Sequence, residues 1–294
     1  MTALLLVLAL SQDSVSGDAT IRARAGTSEI VIRTTSRLAG AVDSLRFAGK
    51  EFIDSTDHGR QLQSASNLDC GTPITAETYN PTEAGSRDDG AGPRSSSLLL
   101  RLRADGAVLE TTSRMAFWLR PGQRSGKNLA KNATVLSEHL LSKKITIGFR
   151  DLPQVVEYVA TFTLPAGERH THAVFEAVTG YMPPEFSRFL AYDAGTREPK
   201  PLTDGPGEQA QPVIFSTETG SHAMGIYSPE AGPGYGRFRF VPERVVKWNC
   251  VFRVANKEGI PPGDFRYRTY IPVGTLEEVV ASLGRLQEIF GERK

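Results

Sequence analysis

Two polar clusters stand out: Asp57-His58-Gly59-Arg60-Gln61-Leu62-Gln63, then Tyr79-Asn80-Pro81-Thr82-Glu83-Ala84-Gly85-Ser86-Arg87-Asp88-Asp89-Gly90. Short hydrogen-bonding side chains at this density, on loops, suit a ligand rich in hydroxyls better than they suit a core. Arg60 can offer two parallel donors to a vicinal diol or a carboxylate. Asp57 can orient the neighbouring His58 or accept from a hydroxyl, and Gln61 adds an amide. Asn80 and Glu83 join the same ligand if the connection from Asp69 to Ser96 folds back. The competing readings are a tight turn at Asp-His-Gly with Arg60 in a surface ion pair, and a turn with a helix cap at Asn80-Pro81-Thr82-Glu83.

The sharpest acid–base group is Arg169-His170-Thr171-His172 with Glu176. Alternate side chains of a strand share a face, so His170, His172 and Glu176 are expected to project together. Such a trio can exchange protons near neutral pH, can bind a transition metal, or can be a polar outer face. We take His170, His172, Glu176 and Glu83 as catalytic candidates and expect no metal and no cofactor. Farther along, Tyr235, Trp248 and Asn249 lie around and beyond a Gly/Pro-rich loop, Pro229 to Gly236. An aromatic face there can pack on the C–H face of a sugar ring while amides take its hydroxyls; Trp248 as a core aromatic is the alternative. The binding candidates are therefore Asp57, His58, Arg60, Gln61, Asn80, Tyr235, Trp248 and Asn249.

The elements that must position these residues read as strands. Ser28 to Thr34, Ala41 to Phe47, Leu98 to Arg103, Glu110 to Leu119, Lys144 to Phe149 and Val155 to Leu164 show alternation or β-branched enrichment. So do Arg169 to Tyr181, Pro212 to Thr217, Ala223 to Ser228, Phe238 to Val241, Val245 to Val254 and Arg266 to Val273. The expected fold class is all-β, a large antiparallel sandwich. One helix closes the chain: Thr275 caps it, Glu278 completes a capping box, and Leu276, Val279, Val280, Leu283, Leu286 and Phe290 mark its apolar face. Long polar connections run from Asp69 to Ser96 and from Tyr192 to Gln211. Strand signals resume unchanged beyond each, so residues 20–294 read as one domain.

In 294 residues, 34 Lys and Arg stand against 33 Asp and Glu, which gives no pull toward nucleic acid or an anionic membrane. Ala3 to Leu10 is apolar but too short to span a bilayer, and with Ala9-Leu10-Ser11 behind it reads as a signal-peptide core. Residues 1–19 are accordingly expected to be a signal peptide and leader, and the protein to be periplasmic or secreted. Cys70 and Cys250 leave a disulfide or two free thiols equally open. Asn132-Ala133-Thr134 fits a glycosylation sequon. There is no Gly-x-Ser-x-Gly, nucleotide glycine loop or His-Glu-x-x-His, which excludes the common hydrolase elbow, phosphoryl transfer and nicotinamide chemistry.

Gly40-Ala41-Val42-Asp43-Ser44-Leu45-Arg46-Phe47-Ala48-Gly49-Lys50-Glu51-Phe52 resembles the N-terminal hairpin of the galactose mutarotase (aldose 1-epimerase) superfamily. Gly59-Arg60 stands where that family often places a sugar-binding Gly-Arg, and the His170 strand lies where its catalytic histidine strand lies. The resemblance implies a β-supersandwich with a sugar site on a concave sheet, a histidine acid and a glutamate base. Where the family's late strand carries its glutamate, this chain reads Val246-Lys247-Trp248-Asn249-Cys250, without a carboxylate. The expected function is an exported carbohydrate-active protein, foremost an enzyme of epimerase, glycosidase or lyase type acting on a mono- or oligosaccharide. A carbohydrate-binding protein without turnover and an envelope-assembly sandwich are the alternatives.

Overall fold

The computed structural model describes residues 15–241 and 244–291, and the expected signal-peptide core lies outside them. Apart from the short pair Arg124–Ser125 and Asn128–Leu129, the described strands form one antiparallel sheet folded on itself into two facing layers. The first layer runs Leu98–Asp105, Val108–Phe117, Leu136–Phe149, Leu152–Leu164 and Gly263–Gly274, continued by the short strands Ala223–Gly225, Val213–Ser216 and Arg188–Asp193. In the second layer Ala19–Ala25, Ser28–Thr34 and Val42–Phe47 lead to Leu62–Leu68, His172–Met182, Val245–Ala255 and Gly234–Phe240. The short strand Pro81–Thr82 joins the layers, pairing with Ala65 on one side and with Ala116 and Phe117 on the other.

Inward residues of both layers make the core. Phe162 and Phe175 meet across it at 5.0 Å between ring centroids, and Phe252 stacks on Tyr267 at 4.3 Å. Alternation is strict along Leu136–Phe149, where Leu141, Ile145 and Ile147 point inward and are buried. The C-terminal helix, Leu276–Gly291, packs Val279, Leu283, Leu286 and Ile289 against Leu152, Val155, Ile214 and Tyr270 on the outer face of the first layer. Its expected capping box is present: Thr275 Oγ1 accepts from the Glu278 amide at 3.2 Å, and Glu278 Oε2 accepts from the Thr275 amide at 2.7 Å.

Two placements differ from the sequence reading. Leu62–Leu68 is a central strand rather than loop, its inward positions filled by Leu62, Ser64, Ser66 and Leu68. Small serines there leave room for cross-layer hydrogen bonds, so Ser64 Oγ lies 2.9 Å from the Tyr158 hydroxyl. The strand expected from Lys144 begins at Leu136, which brings His139 and Lys143 into the core. Cys70 and Cys250 are both free, one exposed and one buried.

Glu83 is buried with Lys143, and each side chain is 1% exposed. The Ser64 amide donates to Glu83 Oε2 at 3.1 Å, so the pair pins the loop after Pro81–Thr82 to both layers. Burial pushes the Glu83 carboxyl above its ordinary range, and Lys143 opposes that push. Stranding either partner in the core is costly, whereas removing both together is not. Lys143→Met is expected to lose about 3–5 kcal/mol of stability in urea unfolding at pH 7. The double variant Glu83→Gln/Lys143→Met should lose clearly less. A double variant as damaged as the single would show that the pair does not act as a unit.

Candidate functional site

The strand His172–Met182 builds the site through a bulge. His172, Val174 and Glu176 face outward by alternation, but Ala177 and Val178 both turn inward, and the register shifts between Glu176 and Val178. One extra residue flips the parity of everything beyond it. Thr179 and Tyr181 therefore share the outer face with Glu176. Across the ladder Thr179 pairs with Asn249 and Tyr181 with Lys247, so all five side chains converge.

Lys247 Nζ lies 3.2 Å from Glu176 Oε2, with the side chains 13% and 18% exposed. Thr179 Oγ1 donates to the same oxygen at 2.7 Å, and Asn249 also hydrogen-bonds the carboxylate. Burial pushes the Glu176 carboxyl up, but the Lys247 charge and these hydrogen bonds outweigh it and hold it below the ordinary range. Burial lowers the Lys247 ammonium in turn, yet Glu176 and the Tyr181 hydroxyl overcome that and raise it. Lys247 also sits 5.3 Å from the Tyr181 ring centroid and 5.4 Å from that of Phe238.

This pair lies in the wall of a cavity of about 320 Å³, whose other walls include Gln63, Asn80, Trp118, Tyr181 and Phe238. That volume falls at the small end of ligand pockets, roughly 300–1,000 Å³. Trp118, Tyr181 and Phe238 are each half-buried, leaving ring surface for a ligand. Gly59 sets the position of Trp118: a Cβ there would fall 2.7 Å from the indole. Gln63 donates its amide to the Gly59 carbonyl at 3.0 Å, while its buried Oε1 has no partner among the described residues.

The sequence candidates separate into several places. Asn80 and His58 line the cavity, and Asn249 supports its carboxylate. Asn80 Nδ2 donates to the Ser66 carbonyl at 2.6 Å. His58 is a fastener, its Nδ1 2.7 Å from the Gly90 carbonyl and its Nε2 2.9 Å from that of Arg37. Asp57 accepts from the Gly59 amide at 2.9 Å and lies 3.5 Å from Arg60 Nε, while the Gln61 amide turns back to the Asp57 carbonyl. That turn and ion pair frame the cavity without lining it.

Other candidates turn away. Trp248 is inward and 1% exposed, its indole N–H 3.3 Å from Met182 Sδ. It fits because Gly180 stands opposite, where a Cβ would come within 2.5 Å of the ring. Tyr235 is likewise buried, its hydroxyl accepting from the Ser228 amide at 2.9 Å. Glu83 belongs to the core pair. His170 precedes its strand and is buried, so the expected common face of His170, His172 and Glu176 is not formed. His172 does share the outer face, but it lines a separate depression with Asp69 and Thr171. Sequence reasoning missed Trp118, Tyr181, Phe238 and Lys247, which reach the cavity from strands and turns far from Gly59 in sequence.

No protein-family model matches this sequence, and no curated protein is similar to it. Among solved structures, a GH36 alpha-galactosidase from Geobacillus stearothermophilus superposes with a TM-score of 0.50 at 9% identity, over 90% of this chain and 41% of that one. An alpha-galactosidase from Lactobacillus brevis gives 0.48 at 9% identity, over 90% and 40%. A galactose mutarotase-like protein from Lactobacillus casei gives 0.47 at 9% identity, over 87% and 99%. The chain thus spans about two fifths of the two galactosidases. The all-β sandwich with a C-terminal helix, expected from the strand and capping patterns, is present, and the chain shares this fold with the GH36 alpha-galactosidase over 90% of its length.

Replacing Lys247 by methionine strands the Glu176 carboxylate. The depressed wild-type carboxyl contributes stability that is present above the ordinary carboxylate range and is lost as pH falls through its folded value. In Lys247→Met the same carboxyl rises, so its penalty is present at neutral pH and disappears on acidification. The variant is expected to be about 2 kcal/mol less stable at pH 7, with the gap to wild type narrowing toward pH 3. Urea unfolding across that range measures it; a gap independent of pH would exclude the pairing.

Proposed function

We propose that this chain recognises a neutral saccharide in the Glu176–Lys247 cavity and holds it without turnover. The observation that carries this is a desolvated, ion-paired carboxylate facing three half-buried aromatic rings in one small cavity. An ionised carboxylate and an ammonium accept from and donate to adjacent hydroxyls, and the rings cover apolar C–H surface. The unpaired Gln63 carbonyl offers a further acceptor. The α-galactosidase likeness supports this reading through the fold alone.

Binding is favoured over turnover by the same pair. A general acid and base work best with pKa values near the operating pH. Lys247 is raised above the lysine range and Glu176 is held below the carboxylate range, so neither is poised to exchange a proton at neutrality. His172, the exposed imidazole, is not in this cavity. The apolar run Ala3 to Leu10 supports a periplasmic or secreted setting.

The cavity wall also sets ligand charge. The carboxylates of Glu77 and Glu176 stand there against the one ammonium of Lys247, which disfavours an anionic ligand. Calorimetric titration of the purified chain should therefore show neutral mono- or oligosaccharides binding at least about tenfold more tightly than the matching uronates. Trp118→Ala should weaken binding by about tenfold or more, and Trp248→Phe should leave it unchanged. Saccharide conversion followed in the same samples should stay at background. A folded chain that binds no saccharide would end the proposal, and conversion abolished by Glu176→Gln would replace it with an enzymatic one.

A further inference from the structure

At the edge of the inter-layer core, away from the cavity, His139 Nε2 and His170 Nε2 each lie 2.8 Å from the same oxygen, Glu168 Oε2. The three donor atoms come within 4.8 Å of one another. His139 arrives on the strand Leu136–Phe149, whereas Glu168 and His170 come from the connection before His172–Met182. The histidines are 1% and 2% exposed and the glutamate 24%, so the group is enclosed on the core side and open to solvent along Glu168.

We propose that His139, Glu168 and His170 form a transition-metal site, with Zn²⁺ as the ion their donor set fits best. Two imidazoles and a carboxylate supply three ligands of a tetrahedral centre and leave the fourth position for water on the open side. None of these residues lines the Glu176–Lys247 cavity, so the inference stands independently of the saccharide reading.

The surroundings fit the role. Tyr79, itself buried, hydrogen-bonds Glu168 and so orients the carboxylate as a neighbour to the ligand. His139 Nδ1 is buried and has no hydrogen-bond partner among the described residues, so the Glu168 contact at Nε2 is what sets that ring's proton there, and an ion taking that position leaves Nδ1 to carry it. His170 Nδ1 faces two alternatives: the Cys70 amide, which donates to it at 3.2 Å, and Asp69 Oδ1 at 3.6 Å. Ligation through Nε2 requires the proton on Nδ1, where it turns from the Cys70 amide to the Asp69 carboxylate. A carboxylate behind a metal-bound histidine is a common supporting arrangement. Asp69 is firmly placed for it, accepting from the Thr171 amide at 3.0 Å and from its hydroxyl at 2.5 Å.

The test uses the full chain after chelator treatment, titrated calorimetrically with Zn²⁺. One ion per chain is expected, together with a raised melting temperature, and Co²⁺ in its place should give the intense visible bands of a tetrahedral centre. Glu168→Gln and Tyr79→Phe should each weaken Zn²⁺ binding by about tenfold or more, Tyr79→Phe serving as the milder change if a ligand variant fails to fold. Cys70→Ser/His172→Ala, which removes the exposed thiol and imidazole nearby, should bind as the wild type does. Absence of one-to-one binding by the folded chain would overturn the proposal. So would binding that survives Glu168→Gln and Tyr79→Phe or disappears in Cys70→Ser/His172→Ala, because the ion would then sit elsewhere.

Discussion

The central constraint is the register between His172–Met182 and Val245–Ala255, fixed by what each strand must bury. Trp248 fits only opposite Gly180, and Phe175 opposite Phe252 continues the same inward row. With those core pairs set, the outward residues have no freedom of address. Glu176, Thr179 and Tyr181 must meet Lys247 and Asn249 on the other face. The bulge at Ala177 is the one adjustment, and it is itself held, since the Ser64 hydroxyl donates to the Ala177 carbonyl at 2.7 Å. The site is thus a by-product of core packing in position, though not in chemistry.

Among the ionisable groups buried in the described residues, three clusters are each settled differently. Glu83 and Lys143 neutralise each other deep in the core, with no face left for a ligand. Glu176 and Lys247 also pair, but an edge of each remains open beside aromatic rings. In the His139–Glu168–His170 group one carboxylate oxygen serves two imidazoles, and the hydrogen bonds from both outweigh the burial that would otherwise raise the Glu168 carboxyl, holding it well below its ordinary range. Unpaired charge is excluded from all three. What separates scaffold from site is the access left after pairing, together with the neighbours that access exposes.

The scaffold was legible in the chain because its signals are local. Ser28–Thr34 matches its β-branched run residue for residue, and the capping box at Thr275 and Glu278 forms as its spacing implies. Leu62–Leu68 was not legible, since serines, alanine and asparagine carry no strand signature and their reason is the hydroxyl partner across the core. The site was half legible for a related cause. Strict alternation identifies Glu176, but a single inserted residue reverses the face of Tyr181, and nothing in Glu-Ala-Val-Thr marks that insertion. Trp118 and His139 reach their places through pairings set by strands far away in sequence. Trp248 drew attention as an aromatic beside an amide; the glycine that receives it lies 68 positions earlier.

A sandwich of this kind separates stability from chemistry along every strand. Changing an outward side chain leaves the inward row untouched, so one core can carry different chemistry on its outer face. In Val246-Lys247-Trp248-Asn249-Cys250 the inward residues Val246, Trp248 and Cys250 are fully committed to packing, and only Lys247 and Asn249 remain to be assigned by function. Lys247 converts the adjoining Glu176 from a free base into half of an ion pair. The pair keeps a directional contact at the cavity wall and lowers the cost of holding a carboxylate near Tyr181 and Phe238.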